Sequence, residues 1–387
     1  MRVIGVVAAG LAGLVLVLVA LATLVTALFA RAVVIPPRKR SEDTEVHVVD
    51  LAAGTVVLGA SADACLPGDY SFWFTGDSGH ARLGEIVTST PDTVTRRILA
   101  VDFGDFVSAR RGRFGGWFYL GPWELELPFE NVTIDSPVGP APAWWVPAGV
   151  ADERWVIQVH GRAVRRQECL RAVPVFHAAG YHSLLVSYRN DGEAPESDDG
   201  RYGLGDTEWL DVEAGIRFAL DRGARHIVLM GWSMGGAIVM QLVARSELRD
   251  VVRGIVLDSP AVDWVDILDF QGAGYGLPSL MRQAVIRTIG EPWGRVATGL
   301  AEPIDFARLD VVANAAALQR PILLMHSDDD GYVPADGSRA LAEARPDIVT
   351  FEEFTVARHT KLWNYDPERW NGAIASWLEL LAGRGAR

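Results

Sequence analysis

Ser233 has the neighbours and the spacing that a nucleophilic serine requires. It lies in the run Gly231-Trp-Ser-Met-Gly235, between a short apolar strand and the start of a predicted helix. This is the pattern of a nucleophile elbow, in which glycines are needed because a Cβ atom would collide with the approaching strand and helix. The turn also aims the first amides of the helix at the reacting centre, where they can stabilise an oxyanion. Ser233 is therefore the candidate nucleophile.

A serine hydroxyl is a poor nucleophile at neutral pH, so it needs an imidazole base whose tautomer is fixed by a carboxylate. Of the eight histidines, His359 alone falls in a loop after the last predicted strand and before the final helix. We therefore predict that His359 is the base. The other histidines fall in the β-rich region, in the loop after a central strand, or beside core elements, and these are His47, His80, His160, His177, His182, His226 and His326.

The elements around these residues alternate between apolar strands and helical patterns, which predicts a mostly parallel sheet covered by helices. An opening hairpin is expected at residues 131–146, and the core strands at 155–159, 182–187, 227–230, 255–257 and 321–325. Helices are predicted at 166–179, 206–222, 233–245, 335–344 and 367–381. Residues 262–306 interrupt this alternation with mixed helical and loop signals, as a cap over a pocket would.

With these motifs in this order, the chain resembles the α/β-hydrolase superfamily over roughly residues 125–381, particularly its membrane-anchored serine hydrolases and its prolyl-oligopeptidase-like and monoglyceride-lipase-like domains. The segment from His326 to Pro334 is similar to the family's His-x-x-x-Asp-x-x-Val-Pro, and this register implies that Asp330 is the triad acid. Asp328 remains an alternative, as does Asp258, which follows an earlier strand where some members place the acid.

The same resemblance assigns the oxyanion hole. The run His160-Gly161-Arg162 is similar to the family's His-Gly loop, so the backbone amides of Arg162 and Met234 are expected to bind the oxyanion. In many relatives a glycine precedes the base, whereas here Arg358 does. We expect Arg358 to narrow or charge the mouth of the pocket.

The predicted domains are a β-rich region at residues 45–124 and a hydrolase domain at 125–387, with the cap at about 262–306. Strands are predicted in the β-rich region at 46–51, 55–58, 70–75, 93–101 and 114–120, separated by turn residues. No convergent polar cluster marks a site in it. We therefore expect it to pack on the main domain rather than to act as a separate binding module.

Residues 1–31 are predicted to form a transmembrane anchor, followed by a linker at 32–44. No charge occurs from Val3 to Ala30, and a helix of that length exceeds the roughly 30 Å hydrocarbon core of a bilayer. A cleaved signal peptide is the alternative, but its apolar region is normally only about 7–15 residues long. The sequence therefore favours an uncleaved, single-pass anchor.

The charges that flank the span predict its orientation. Arg31, Arg38, Lys39 and Arg40 follow it, against Arg2 and the amino terminus before it. Because cytoplasmic flanks carry the excess of Lys and Arg, a cytoplasmic catalytic domain is expected.

Composition argues against other classes of function. The net charge is −13, with no basic stripe interleaved with aromatic residues, so no nucleic-acid partner is expected. The two cysteines form no C-x-x-C pair, and the run of aspartates lacks the spacing of a calcium loop. We expect neither a metal nor an organic cofactor.

The sequence thus predicts a membrane-anchored serine hydrolase that cleaves an ester, thioester or amide through an acyl-enzyme. A carboxylesterase or lipase acting on a small-molecule or lipid-like acyl substrate is favoured, because an apolar anchor and a cap suit such substrates. A peptidase or an acyltransferase with the same triad is the alternative within the enzymes. The alternative from another class is a catalytically silent, membrane-tethered interaction module.

Overall fold

The computed structural model describes residues 2–37, 39–149 and 153–385, which form an N-terminal helix, a small β-barrel and a larger α/β domain. Helix α1 (Arg2–Val34) is continuous, and its segment Gly10–Val34 is long and apolar enough to cross a membrane. The described side chains of α1 are exposed up to Leu24, whereas Ala30 and Val34 are completely buried. Residues four apart share one helix face, so α1 docks on the α/β domain through one face of its last turns.

The barrel consists of six antiparallel strands in the order β1-β2-β5-β4-β3-β6. Apolar side chains from all around the barrel fill its interior, among them Leu58, Phe72, Phe74 and Leu83. Closure leaves no unpaired sheet edge, which a small isolated sheet would expose. The strands are β1 (Thr44–Asp50), β2 (Thr55–Gly59), β3 (Tyr70–Phe74), β4 (Gly79–Ser89), β5 (Thr93–Phe103) and β6 (Arg111–Gly115).

The strands predicted from the sequence in this region differ from the structure in two places. The strand predicted at 114–120 is wrong, because β6 ends at Gly115 and the next residue, Gly116, leaves the barrel. A Cβ on Gly116 would lie 2.6 Å from the carbonyl oxygen of Thr360, so the chain turns away here to pack on another loop. Strand β4 was not predicted, since four irregularities in its pairing with β5 break the alternating pattern.

The α/β domain is built on an eight-stranded sheet in the order β14-β13-β12-β11-β9-β10-β8-β7. Strands β7 and β8 form an antiparallel hairpin, β8 also pairs antiparallel with β10, and all other pairs are parallel. The central strands are buried on both faces, which explains their continuous apolar runs. The strands are β7 (Glu130–Ser136), β8 (Gly139–Val146), β9 (Arg154–Val159), β10 (His182–Val186), β11 (His226–Trp232), β12 (Val252–Asp258), β13 (Ile322–Ser327) and β14 (Val349–Phe354).

Helices cover both faces of this sheet, and four short helices of the cap follow β12. Cap helices α6 and α7 pack against α1. Edge strand β14 was not predicted, because five of its six residues are partly or fully exposed and it carries two adjacent glutamates. The helices are α2 (Val173–Ala178), α3 (Trp209–Leu220), α4 (Met234–Arg245), α5 (Trp264–Gly274), α6 (Ser279–Gly290), α7 (Arg295–Thr298), α8 (Phe306–Leu309), α9 (Asp336–Ala344), α10 (Leu362–Tyr365) and α11 (Pro367–Gly385).

Candidate active site

Ser233 occupies a strained turn between β11 and α4. Its backbone angles are φ 50° and ψ −117°, a combination that a residue with a side chain rarely adopts. A Cβ on Gly235 would lie 2.1 Å from the carbonyl oxygen of Val159, and one on Gly231 would lie 2.4 Å from the carbonyl oxygen of Gly235. The two glycines therefore allow the close approach of strand and helix that lifts the serine out of the sheet.

The side chains of Ser233, His359 and Asp330 form one hydrogen-bonded line. The Nε2 atom of His359 lies 3.0 Å from Oγ of Ser233, and its Nδ1 atom lies 2.7 Å from Oδ2 of Asp330. An ionised carboxylate can only accept, so it keeps the proton on Nδ1 and leaves Nε2 to accept from the serine hydroxyl. This is the geometry in which His359 can take the serine proton.

Asp330 is almost fully buried and makes four polar contacts. Its Oδ1 atom accepts from the amides of Tyr332 and Val333 at 2.9 and 2.8 Å, and its Oδ2 atom also contacts Nε2 of His326 at 3.2 Å. Burial alone raises the pKa of Asp330, but the charges and hydrogen bonds of His359 and His326 outweigh burial and hold the pKa well below its usual range. The carboxylate is thus kept ionised. The contact with His326 was not expected from the sequence.

The other candidate carboxylates are engaged elsewhere. Asp258 is fully buried, and burial raises the pKa of its carboxyl. Its oxygens accept from the indole N–H of Trp370 and the hydroxyl of Ser259, and it makes no hydrogen bond with His359. Asp328 is half-exposed and forms an ion pair with Arg339. Among the alternatives left open by the sequence, the structure brings only Asp330 to the imidazole.

The loop after β9 lies directly against Ser233. A Cβ on Gly161 would lie 3.2 Å from Cβ of Ser233, and the Gly161 amide donates to Oε2 of Glu168 at 2.8 Å. The amides of Arg162 and Met234 donate to no backbone or side-chain acceptor within the described chain. They remain available for an oxyanion, as expected for the first amide of a helix such as α4.

The barrel holds the loop that carries His359. Asp63, between β2 and β3, lies 2.8 Å from Nζ of Lys361 and 3.5 Å from Nε of Arg358. The residues on both sides of His359 have positive φ, 26° for Arg358 and 51° for Thr360, so the loop is strained and needs support. The amide of Thr360 adds a hydrogen bond to the hydroxyl of Ser259 at 3.1 Å.

Two family models match the chain. Residues 156–373, more than half of the sequence, match the model of the alpha/beta hydrolase family. The chain belongs to the alpha/beta hydrolase family. Residues 45–115 of this hydrolase match a second model, described as a domain of unknown function (DUF8805), over the part of the chain that forms the barrel.

Solved structures resemble the hydrolase in the same region. Three crystal forms of the Pyrococcus furiosus esterase Pf2001 have TM-scores of 0.53, 0.52 and 0.51 and are 20%, 20% and 21% identical. They cover 68%, 67% and 67% of this chain and 94%, 96% and 93% of their own chains. Likeness at this level of identity shows the fold alone, and it confirms the predicted α/β-hydrolase fold.

The hydrolase has a cavity of about 520 Å³ at Ser233, which we call the catalytic cavity. Several parts of the chain contribute to its wall, namely the linker, the barrel, the loop after β9, the cap and the loops that carry Ser233, Asp330 and His359. The barrel therefore forms part of the cavity wall in addition to packing on the main domain, a role that no sequence motif indicated. Its lining includes Pro37, Lys39, Arg40, Asp63, Trp73, Arg113, Trp117, Gly161, Arg162, Glu168, Ser233, Tyr275, Tyr332, Arg358, His359 and Lys361.

The described part of the hydrolase contains no group of three or more His, Cys, Asp or Glu side chains arranged to hold a metal ion. Arg358, which replaces the glycine of many relatives, lines the cavity and lies 3.5 Å from both Asp63 and Asp329. The charged cavity mouth that the sequence suggested at this position is therefore largely neutralised by carboxylates.

Proposed function

We propose that the hydrolase cleaves carboxylic esters through Ser233, with His359 as general base and Asp330 as the acid that orients it. One observation carries the proposal, namely the line of hydrogen bonds from Ser233 Oγ through His359 to Asp330 at 3.0 and 2.7 Å. Such a line is what a serine needs to become nucleophilic at neutral pH.

The proposed reaction proceeds in two halves. His359 takes the hydroxyl proton as Ser233 Oγ attacks the carbonyl carbon, and the negative charge develops on the carbonyl oxygen. The amides of Met234 and Arg162 stabilise that oxyanion, and one such donor is typically worth about 3–4 kcal/mol in the transition state. His359 then protonates the leaving alcohol. In the second half it activates a water molecule that releases the acyl group from Ser233.

Ester cleavage is favoured over peptide cleavage because the solved structures of matching fold are named as esterases. The partly exposed Tyr332 ring next to His359, with ring centroids 5.2 Å apart, offers an apolar surface for an acyl or aryl group. A peptidase and an acyltransferase are the alternatives, and both would use the same three residues.

The test compares 4-nitrophenyl butyrate with an aminoacyl 4-nitroanilide, using the full chain in detergent. We expect the ester to be turned over with a burst of nitrophenol and the anilide at least 100-fold more slowly, with Ser233→Ala removing the ester activity. Equal activity of Ser233→Ala contradicts the mechanism. Preferential anilide turnover supports a peptidase, and transfer of the acyl group to added glycerol supports an acyltransferase.

We further propose that α1 remains attached as a single-pass anchor. Its first 24 residues span about 36 Å at 1.5 Å per residue, enough for a hydrocarbon core of about 30 Å. Its last turns are docked instead, because the guanidinium of Arg162 donates to the carbonyls of Ala32, Val33 and Ile35 at 3.0, 2.8 and 3.2 Å. Signal-peptide cleavage after Ala32 would remove the buried Ala30 and the contact to the Ala32 carbonyl. The membrane surface is therefore expected near Val25, beside the cap.

We also propose that the catalytic domain is cytoplasmic, because the positive charges of Arg31, Lys39 and Arg40 follow the span. Arg38, which was also counted among these flanking charges, lies outside the described residues. Protease treatment of intact cells and of inverted vesicles tests it. The barrel should be digested only in inverted vesicles, and digestion in intact cells contradicts the orientation. The intact mass of the membrane-bound protein tests retention of α1.

A further inference from the structure

The catalytic cavity contains a cation without a protein counterion. Arg40 is partly buried and lines the cavity together with Ser233, and among the described residues no carboxylate forms an ion pair with it and no acceptor bonds its guanidinium. Removing a charged group from water is costly unless it is paired and hydrogen-bonded. An arginine in this position therefore lacks the partner that its burial calls for.

A second guanidinium lies beside it. Arg113, on β6, is 8% exposed and lines the same cavity. Its Nε and Nη2 atoms donate to Oδ1 of Asp77 at 3.2 and 2.8 Å, while Nη1 donates to no described acceptor. Burial and the neighbouring charge of Arg113 lower the pKa of Arg40 to about 10, so Arg40 remains cationic at neutral pH.

The two carboxylates whose charges act on Arg40, Asp77 and Glu168, already have other partners. Asp77 is bonded to Arg113. Glu168 accepts from the amide of Gly161 and lies 3.7 Å from Arg171. The negative charges of Asp77 and Glu168 reduce the repulsion between the two guanidiniums, but neither carboxylate accepts a hydrogen bond from Arg40.

A third donor completes the group. The indole N–H of Trp117 is buried and has no acceptor among the described residues, and Trp117 lines the catalytic cavity together with Arg40 and Arg113. The same three residues also line an adjoining cavity of about 980 Å³, whose wall carries five carboxylates as well, Asp77, Asp191, Glu196, Asp198 and Asp199. An anionic group is therefore expected at the wall that the two cavities share. Buried polar groups in proteins nearly always have a partner, so the orphaned indole N–H beside two guanidiniums with free N–H groups indicates a missing acceptor.

We propose that Arg40, Arg113 and Trp117 form a subsite for an anionic group of the substrate, a carboxylate or a phosphate. A multidentate oxyanion offers acceptor oxygens to both guanidiniums and to the indole N–H, and it neutralises the excess positive charge. The substrate class thereby becomes an ester that carries a negative charge away from the scissile bond. This inference rests on the proposed function of Ser233, and it assigns substrate recognition to the linker and the barrel, outside the triad.

The test uses pairs of esters that differ in charge and otherwise closely match. The soluble pair is 4-nitrophenyl hydrogen adipate and its methyl ester, and the lipid pair is 1-oleoylglycerol 3-phosphate and 1-oleoylglycerol in the same detergent micelles. We expect the full chain to prefer the charged member of at least one pair by tenfold or more in kcat/KM. Preference in the soluble pair alone assigns the site to small acids, and preference in the lipid pair assigns it to lipid headgroups.

Variants separate the subsite from the triad. In Arg40→Gln the ratio of charged to neutral kcat/KM should fall by about tenfold, and Arg40→Lys should restore part of it. Arg97→Gln is the matched control, because Arg97 is a half-exposed barrel arginine paired with Glu85 outside the cavity, and it should leave the ratio unchanged. An unchanged ratio in Arg40→Gln overturns the proposal, as does a parent enzyme with no preference in either pair.

A binding experiment keeps the two proposals distinguishable. Titration calorimetry with adipate and with inorganic phosphate should give a dissociation constant at least tenfold weaker for Arg40→Gln than for the parent. If neutral esters are cleaved and neither anion binds, the anion subsite is wrong and the proposed function stands. If an anion binds as expected and no ester is cleaved, the subsite stands and ester hydrolysis is wrong.

Discussion

Replacing Asp330 by asparagine should remove catalysis with little change in shape. The carbamoyl oxygen of the new side chain can still accept from the amides of Tyr332 and Val333, which bond Oδ1 in the parent. The NH₂ group then faces Nδ1 of His359 and Nε2 of His326, where the parent has Oδ2. Because NH₂ donates, His359 must accept on Nδ1 and carry its proton on Nε2. In that tautomer it cannot take the proton of the serine.

A wrong tautomer in a serine triad costs about 10⁴-fold in kcat, equivalent to about 5.4 kcal/mol in the activation free energy. Stability should fall by about 2–3 kcal/mol, because a hydrogen bond to a charged group contributes roughly 1.5–3 kcal/mol. The assay is kcat with 4-nitrophenyl butyrate at pH 8, together with urea unfolding of each variant.

Asp328→Asn is the matched control two positions earlier in the chain. Its carboxylate is half-exposed and paired with Arg339, and exposed pairs contribute about 0–1 kcal/mol. It should keep kcat within about twofold. Retention of more than a tenth of the parent kcat by Asp330→Asn would refute the reasoning, as would an equal loss in Asp328→Asn.

Three further predictions concern the supports of the site. Asp63→Asn removes the carboxylate that lies between the cations flanking His359, so kcat should fall about tenfold while Asp63→Glu retains more of it, and equal kcat values in a steady-state assay would contradict this. Arg162→Met removes the guanidinium that caps the end of α1, and helix-end contacts of this kind contribute roughly 0.3–2 kcal/mol, so a lower midpoint of thermal unfolding is expected and an unchanged midpoint counts against docking. The pKa of Asp330 is depressed, so its stabilising effect is complete above its unfolded-state value of about 4 and is lost as pH falls through the folded-state value. The difference in unfolding free energy between the parent and Asp330→Asn should therefore be constant from about pH 7 to pH 5 and shrink as the pH falls below about 4. A difference that does not shrink below pH 4 contradicts the assignment.

The sequence was most informative where local rules fix both structure and chemistry. The glycines at 231 and 235 are required by steric contacts with the backbone, so the elbow could be found from five residues. His359 was predicted from the order of elements along the chain, since the ends of parallel strands meet at one edge of the sheet. Asp330 was predicted from the resemblance of residues 326–334 to a segment of the family. The central strands were recognisable because burial on both faces demands continuous apolar runs.

Contacts between segments far apart in the chain could not be predicted, because they leave no pattern in the local sequence. Asp63 lies in a barrel loop nearly three hundred residues before the cations it pairs with, and nothing local distinguishes it from a solvated aspartate. Arg40 was used only as a flanking charge of the span, although it lines the catalytic cavity. Periodicity also failed for β4 and β14, where bulges or half-exposure blur the alternation.

The most direct test of the central claim is to map the residue that a fluorophosphonate probe modifies in the full chain. We expect one adduct, on the tryptic peptide that contains Ser233, and none in Ser233→Ala under the same conditions. An adduct on another residue, or equal labelling of Ser233→Ala, would contradict the assignment of the nucleophile.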